Sequence, residues 1–196
     1  MNPLKELLRQ VAGELSDAVP WALVGGLAIS SRLEPRFTRD LDMAIAVETD
    51  AQAEDLIYRF RHAGYGVLAL IEQEAADRLA TVRLAAPGES GIIVDLLFAS
   101  SGIEPEIVRD AGPLEIASGL VVPVAQVWHL LAMKILARDD QRRPQDLIDL
   151  RNLLTVTTEP DLGRAREALS LITQRGFHRQ KDLLADLQEL ITASTP

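Results

Sequence analysis

The stretch "RFTRDLDMAIAV", residues 36–47, places two carboxylates, Asp40 and Asp42, at the head of an apolar run. The apolar residues from Met43 onward predict a strand over 40–47. Side chains two residues apart on a strand point to the same face, so both carboxylates project together. Two such charges repel each other unless a cation lies between them or one carboxyl group stays protonated.

A divalent cation is the common answer to a pair of neighbouring carboxylates. Magnesium takes hard oxygen ligands, usually one or two carboxylates together with substrate phosphates. The alternative is that Asp40 and Asp42 lie on the solvated face of the strand end, beside Arg36 and Arg39. The spacing of the two aspartates alone does not choose between these interpretations, so a further observation is needed.

A third carboxylate, Asp95, interrupts the otherwise apolar run "GIIVDLLFAS". An ionised group inside such a strand is costly unless it is paired or bound to a metal. The turn residues "PGESG" separate two strand-like runs, which predicts an antiparallel hairpin of 80–86 with 92–98. Asp95 then completes a cation site with the first two aspartates, forms a buried salt bridge with Arg83 across the hairpin, or lies on the solvated face of an edge strand. An active site requires Asp95 to point toward the aspartate pair.

The segment "WALVGGLAISSRL" precedes the aspartate pair and predicts a strand, a tight turn and a helix. The turn contains Gly25 and Gly26. Backbone N–H groups at such a turn, together with the helix N-terminus, can hold a phosphate. The alternative is that the two glycines only allow the tight turn.

Helical spacing recurs on both sides of these strands. Leucines that follow Pro3 predict a helix over 3–18. Thr49 and Gln52 have the spacing of a capping box, which predicts the start of a second helix. The segment "YGVLALIE" is typical of a strand, and a short helix is predicted near 104–110. Helices and strands therefore alternate through the first part of the chain.

The last third of the sequence is helical in pattern. A small hairpin is predicted around 118–119, and three or four helices then follow, at about 124–138, 144–155, 161–175 and 179–192. We therefore predict an α+β fold in which a mixed β-sheet core flanked by helices occupies 1–122. A C-terminal helical region occupies 123–196.

Composition excludes several classes of protein. The 196 residues contain no cysteine, so disulfides, thiolate metal sites and cysteine nucleophiles are excluded. The net charge of −9 is the wrong sign for a protein that binds nucleic acid over a broad surface. No apolar stretch approaches the ~18–20 residues that span a bilayer. We expect a soluble, cytoplasmic protein that does not enter a membrane.

Two charged residues of the helical region, Lys134 and Asp146, lie at positions that could be structural or functional. Lys134 lies on the apolar stripe of its predicted helix, where it either passes through the core to reach a phosphate or snorkels to solvent. Asp146 lies just inside the helix that Pro144 should start, where an acid complements the helix dipole. Neither position alone indicates a function.

The glycine turn, the aspartate pair and the later single aspartate occur in an order that resembles a known family. "ALVGGLAI", "TRDLDMAI" and "VDLLF" together resemble the nucleotidyltransferase superfamily built on the DNA-polymerase-β-like core, with its glycine turn, D-x-D strand and later single acidic residue. Downstream, "VAQVWHLLAMKILARDDQRRPQDLIDLRNLL" resembles the lysine-then-aspartate region of the abortive-infection toxins of the AbiEii/AbiGii type. The fold that this resemblance implies is the mixed core followed by helices.

The resemblance also implies roles for individual residues. It implies a magnesium site, with manganese as an alternative, and a nucleoside triphosphate (NTP) as substrate. The metal ligands would be Asp40, Asp42 and Asp95. The catalytic residues would be these three with Lys134 and Asp146, and contacts to the triphosphate would come from Gly25, Gly26, Ser30, Arg39 and Lys134. Asp146 would bind Lys134 or the substrate.

The acceptor of the nucleotide stays open at this stage. An AbiEii-like toxin would transfer a nucleoside monophosphate to an RNA, such as the 3′ end of a transfer RNA, and a cognate antitoxin would be its partner. A local basic rim would have to bind such an RNA, formed by Arg32, Arg36, Arg39, Arg138, Arg142 and Arg143. The alternatives are a small-molecule nucleotidyltransferase of the antibiotic-modifying kind, and a non-catalytic nucleotide-binding or toxin–antitoxin interaction module.

Overall fold

The computed structural model describes residues 3–16, 18–33, 38, 40–73, 77–88, 91–142 and 144–194. The chain divides into two compact units. The first unit comprises 1–100 and 104–125, and the second comprises 101–103 and 126–196. The domain boundary predicted at 122/123 stays a prediction.

The first unit is built on a mixed sheet of seven strands. The strands are β1 Trp21–Val24, β2 Asp40–Ile45, β3 Gly66–Gln73, β4 Arg78–Ala85, β5 Ile93–Leu97, β6 Gly112–Ala117 and β7 Leu120–Val124. Their order across the sheet is β3-β4-β5-β2-β1-β7-β6. β2 pairs antiparallel with β1 and parallel with β5. The predicted α+β class with a mixed sheet is therefore confirmed.

Among its described residues, the same unit contains four helices: α1 Pro3–Ser16, α2 Gly25–Arg32, α3 Asp50–His62 and α4 Glu104–Asp110. The apolar stripe of α1 is buried as its spacing predicts, although the helix ends at Ser16 rather than at residue 18. Thr49 is the N-cap of α3 and accepts a hydrogen bond from the backbone of Gln52. The side chain of Gln52 accepts from Glu48, so only half of the predicted capping box forms.

The central strands hold the core. β2 buries Leu41, Met43, Ala44 and Ile45 completely, and it ends at Ile45 rather than at residue 47. The predicted hairpin is confirmed, because β4 and β5 pair antiparallel. Burial of several large apolar side chains on one strand stabilises the fold by about 1.5–3 kcal/mol for each side chain. The aspartates at the head of β2 are thus held on a rigid element.

One edge of the sheet differs from the centre. The apolar pattern of β3 predicts a strand correctly, but that strand lies at the edge and most of its residues are exposed. The antiparallel pairing of β3 with β4 is interrupted by two irregularities in register. Such bulges are a common protection of an exposed strand edge.

The second unit is helical: α5 Val127–Ala137, α6 Pro144–Val156, α7 Glu159–Gln174 and α8 Leu183–Ser194. The four predicted helices are confirmed. α7 begins earlier than predicted, because Thr158 and Asp161 form a capping box at its N-terminus. Within this unit a Cβ on Gly102 would lie 2.6 Å from a ring carbon of Phe177, so glycine is required there. In the described part of the chain, no helix is long and apolar enough to cross a bilayer.

Candidate active site

β2 brings its two aspartates to the same face of the sheet. Asp40 is exposed and Asp42 is half-buried, whereas the alternate residues Leu41 and Met43 are fully buried. This alternation is the period of a strand whose other face contacts the core. The two carboxylates therefore project together, as their spacing predicts.

Hydrogen-bonded pairing aligns four side chains across neighbouring strands. Val24 on β1 is opposite Asp42 on β2, and Asp42 is opposite Asp95 on β5. Asp95 is in turn opposite Arg83 on β4. Residues opposite each other on paired strands share a face of the sheet. Asp40 lies two residues before Asp42 on β2 and shares this face. We call Asp40, Asp42, Asp95 and Arg83 the acidic row. In this row Asp95 lies opposite Asp42.

Arg83 and Asp95 form a bidentate ion pair. Arg83 Nε donates to Asp95 Oδ1 at 2.9 Å, and Nη2 donates to Oδ2 at 2.7 Å. The hydrogen bond to Asp95, and the charges of Asp95, Asp40 and Asp42, raise the pKa of Arg83 against the opposing effect of burial. The salt bridge weighed as an alternative from the sequence is therefore present, and it coexists with the position of Asp95 beside Asp42.

The glycine turn contacts the acidic row directly. Gly25 has φ +65°, and a Cβ built on it would lie 1.9 Å from Asp42 Oδ2. Only glycine allows this backbone conformation and this close approach together. α2 begins at Gly25 with Val24 as its N-cap, and Val24 makes no side-chain capping bond. The amides of the first turn thus keep the potential to bind an anion.

Other predicted phosphate contacts have local roles in the structure. Ser30 is buried, and its hydroxyl donates to the carbonyl of Gly26 at 2.9 Å. Arg32 donates through Nε and Nη2 to the carbonyls of Ala125 and Val124. Burial lowers the pKa of Arg32. The roles of Ser30 and of Arg32 toward a substrate stay predictions.

Three of the predicted basic residues, Arg36, Arg39 and Arg143, lie outside the described residues. Of the others, Arg138 is engaged with Asp140 through two hydrogen bonds of 2.8 and 2.6 Å. Arg142 is exposed. A basic rim for RNA therefore stays a prediction.

The oxygen donors at the head of β2 fit the chemistry of magnesium, which binds one or two carboxylates together with substrate phosphates. Within the described residues, however, no group of three histidine, cysteine or acidic side chains could hold a metal ion. Asp95 is engaged with Arg83 instead. Asp40 and Asp42 are therefore the residues that fit a cation, and Asp95 as a metal ligand stays a prediction.

The second unit contains its own cluster of charges, which we call the lysine cluster: Lys134, Asp146 and Asp149. Lys134 Nζ lies 2.6 Å from Asp146 Oδ1 and 2.9 Å from Asp149 Oδ2. The exposed fractions of the three side chains are 16%, 7% and 1%. Gln145 donates to the other oxygen of Asp149 at 3.1 Å. The predicted contact between Lys134 and Asp146 is confirmed.

Sequence reasoning missed Asp149 as a partner of Lys134. Asp146 and Asp149 are three residues apart on α6, which places them on the same helical face, so their spacing was the available signal. Asp146 Oδ2 is buried and has no hydrogen-bond partner in the described part of the chain. The cluster thus holds one cation between two buried carboxylates.

Comparisons with known proteins identify a family and two similar solved structures. The family model "Nucleotidyl transferase AbiEii toxin, Type IV TA system" matches residues 6–194. An antigenic nucleotidyltransferase-like protein from Paracoccidioides brasiliensis is 20% identical with a TM-score of 0.52, covering 93% of this chain and 89% of that chain. The antibiotic-resistance factor ANT(2'')-Ia is 16% identical with a TM-score of 0.49, covering 98% and 92%. No curated protein sequence matches significantly.

Proposed function

The chain belongs to the AbiEii nucleotidyltransferase toxin family, and we propose that it moves a nucleoside monophosphate from an NTP to an acceptor hydroxyl. One observation carries the proposal: the acidic row lies directly against the glycine turn, where the carboxylate of Asp42 contacts the backbone of Gly25. A carboxylate pair for a cation and a turn for phosphates are what this chemistry requires side by side.

The proposed reaction is an in-line displacement at the α-phosphorus. A bond forms between the acceptor oxygen and this phosphorus, and the bond to the bridging oxygen breaks, so that pyrophosphate leaves. Asp95 helps to activate the acceptor hydroxyl by accepting its proton. Gly25 and Gly26 donate backbone hydrogen bonds to the triphosphate, and Ser30, Arg39 and Lys134 are the further predicted contacts. Positioning and charge neutralisation supply most of the catalysis in such transfers.

Asp40 and Asp42 are proposed to hold a divalent cation, Mg²⁺ or alternatively Mn²⁺. Such a cation would neutralise phosphate charge and lower the pKa of the acceptor hydroxyl. Asp95 is the proposed third ligand, and it would have to bind the cation together with Arg83 or in its place. A cytoplasmic location, where NTPs are available, stays part of the proposal.

The proposed acceptor is an RNA, with the 3′ end of a transfer RNA as the first candidate, as the resemblance to the AbiEii-type toxins implies. The family model describes a toxin of a type IV toxin–antitoxin system. The same description supports a cognate antitoxin as a partner. RNA would have to bind a local basic patch, since the net charge of the chain is −9.

A small-molecule acceptor is the second candidate. Two observations favour it: the acidic net charge, and the use of Arg32 and Arg138 in hydrogen bonds within the protein. A small acceptor needs no extended basic surface. The third alternative, a non-catalytic nucleotide-binding or toxin–antitoxin module, predicts triphosphate binding without transfer.

The test supplies each NTP, labelled at the α-phosphate, with Mg²⁺ and either total transfer RNA or the small-molecule fraction of a cell extract. The variants are Asp42→Asn and, as a matched control, Asp55→Asn, which removes an exposed aspartate of α3. We expect the label on one acceptor class with the wild type and the control, and no label with Asp42→Asn. Absence of label with the wild type, or equal labelling by Asp42→Asn, contradicts the transferase proposal.

A further inference from the structure

Arg83 is a basic side chain within an otherwise acidic site. It lies on β4, opposite Asp95 on the adjacent strand, and Asp95 is opposite Asp42 on the next strand. Its guanidinium interacts with the charges of all three aspartates of the acidic row. A cation binding to Asp40 and Asp42 would therefore meet a positive charge already present nearby.

The contact between Arg83 and Asp95 restricts the carboxylate in two ways. Two parallel N–H···O bonds of 2.9 and 2.7 Å fix the plane of the carboxylate as well as its position. The side chain of Asp95 is only 8% exposed, so water contributes little to its orientation. The side chain of Arg83 itself is 43% exposed. The arginine orients a buried group from an accessible position.

We infer that Arg83 is a positioning residue for the proposed nucleotidyl transfer, one that orients the carboxylate of Asp95 and limits the attraction of the acidic row for a cation. The inference rests on the proposed function. The two effects are separable: orientation requires the planar fork of arginine, whereas the effect on the cation requires only a positive charge. Lysine keeps the charge and loses the fork, and glutamine loses both.

The experiment compares wild type, Arg83→Lys and Arg83→Gln. Arg109 provides a matched control, because it forms the same kind of fork with Asp110, at 2.8 and 3.1 Å, on an exposed surface. Binding of Mn²⁺ alone, followed by the electron paramagnetic resonance signal of the free ion, reports the charge effect without turnover. kcat and the KM for the NTP report the orientation of Asp95.

For Arg83→Gln we expect Mn²⁺ binding to tighten by about threefold or more, because a positive charge no longer opposes the ion. For Arg83→Lys we expect Mn²⁺ affinity within about twofold of the wild type. In both variants kcat falls about tenfold or more, with little change in KM, because the reacting groups lose their alignment. Arg109→Gln and Arg109→Lys change neither quantity.

Unchanged Mn²⁺ affinity in Arg83→Gln overturns the inference, as does wild-type kcat in Arg83→Lys. A loss of thermal stability with normal kcat and Mn²⁺ affinity would likewise make Arg83 a merely structural residue. Should circular dichroism find Arg83→Gln unfolded, the kcat of Arg83→Lys still tests the inference.

If the wild type transfers no label at all, the proposed function fails. Tightened Mn²⁺ binding in Arg83→Gln but not Arg109→Gln would then still support the charge effect, so the two failures are distinguishable.

Discussion

The acidic row and the lysine cluster place one cation among several carboxylates in two different ways. In the row, Arg83 is 43% exposed and pairs with Asp95, and the charges of Asp40 and Asp42 also raise the pKa of Arg83. In the cluster, Lys134 is 16% exposed, and the two aspartates that it contacts are almost fully buried. The row includes an exposed carboxylate, whereas the lysine of the cluster already contacts two buried carboxylates.

This difference separates two uses of charge. Buried carboxylates that already share a lysine mainly hold helices together, because removing one partner leaves uncompensated charge in the interior. In the row, Asp40 is exposed and Asp42 is half-buried, so a metal ion can reach these carboxylates from solvent. We therefore expect substitutions in the cluster to change stability first, and substitutions in the row to change activity first.

The largest expected effect on stability comes from the lysine cluster. Lys134→Met leaves Asp146 and Asp149 buried without their cation, and we expect it to lower the free energy of unfolding by about 3–5 kcal/mol. Urea denaturation followed by circular dichroism measures this. Arg142→Met is the control, because it removes an exposed basic side chain of the same unit. A loss in Lys134→Met no larger than in the control would show that the cluster does not hold the helices together.

A smaller effect is expected where the glycine turn meets the row. Gly25→Ala adds a Cβ that collides with the carboxylate of Asp42, and its φ of +65° is unfavourable for alanine. Gly119→Ala is a matched control, because Gly119 has φ +71° and nothing within 4 Å of an added Cβ. We expect about 1–2 kcal/mol of destabilisation in the control from the backbone alone, and a larger loss in Gly25→Ala.

The two glycine variants should also differ in nucleotidyl-transfer activity. Gly25→Ala should abolish nucleotidyl transfer, because Asp42 must move, whereas Gly119→Ala should retain it. The label-transfer assay, made at a temperature where both variants are folded, measures this. Equal activity in the two variants would mean that contact between the turn and Asp42 is unimportant for the reaction.

The smallest effect on stability is expected from a buried tyrosine hydroxyl that lies outside both the acidic row and the lysine cluster. The hydroxyl of Tyr65 is buried and has no hydrogen-bond partner in the described residues. Tyr65→Phe keeps the edge-to-face contact with Phe60 at 4.9 Å. We therefore expect a change in unfolding free energy at pH 7 of no more than about 1 kcal/mol.

The pH dependence of the same variant has a definite sign. Burial first, and the charge of Glu14 second, raise the pKa of Tyr65 to about 12, above its ordinary value of 10.0. The contribution of Tyr65 to stability is therefore fully present below pH 10 and is lost as the pH rises toward 12, since the unfolded chain ionises first. Urea midpoints across this range should fall more steeply for the wild type than for Tyr65→Phe. Parallel curves would contradict the assigned cause.

Much of the architecture could be predicted from local patterns. The alternation of β2, the hairpin of β4 with β5 and the four C-terminal helices follow from periodicity and turn residues, which act over short distances. The family was predictable for a related reason, because the glycine turn, the D-x-D strand and Asp95 occur in a recognisable order, and the family model confirms that prediction over 6–194.

What the sequence could not predict depends on contacts between distant segments. The position of β3 at the sheet edge follows from strand order, so its apolar residues are exposed although their pattern resembles that of a buried strand. The contact of Asp42 with Gly25 follows from the pairing of β1 with β2. Asp95 shows the same limit: the sequence offered a pair with Arg83 or a place beside Asp42 as alternatives, and strand register produces both.

Asp42→Asn distinguishes whether the acidic row is a site of chemistry or a site of stability. The measurement is transfer of labelled nucleotide in the presence of Mg²⁺, made together with the free energy of unfolding of the same samples. We predict transfer reduced by about a hundredfold or more, with unfolding free energy within about 1 kcal/mol of the wild type. Undiminished transfer by folded Asp42→Asn would show that the acidic row does not carry the reaction.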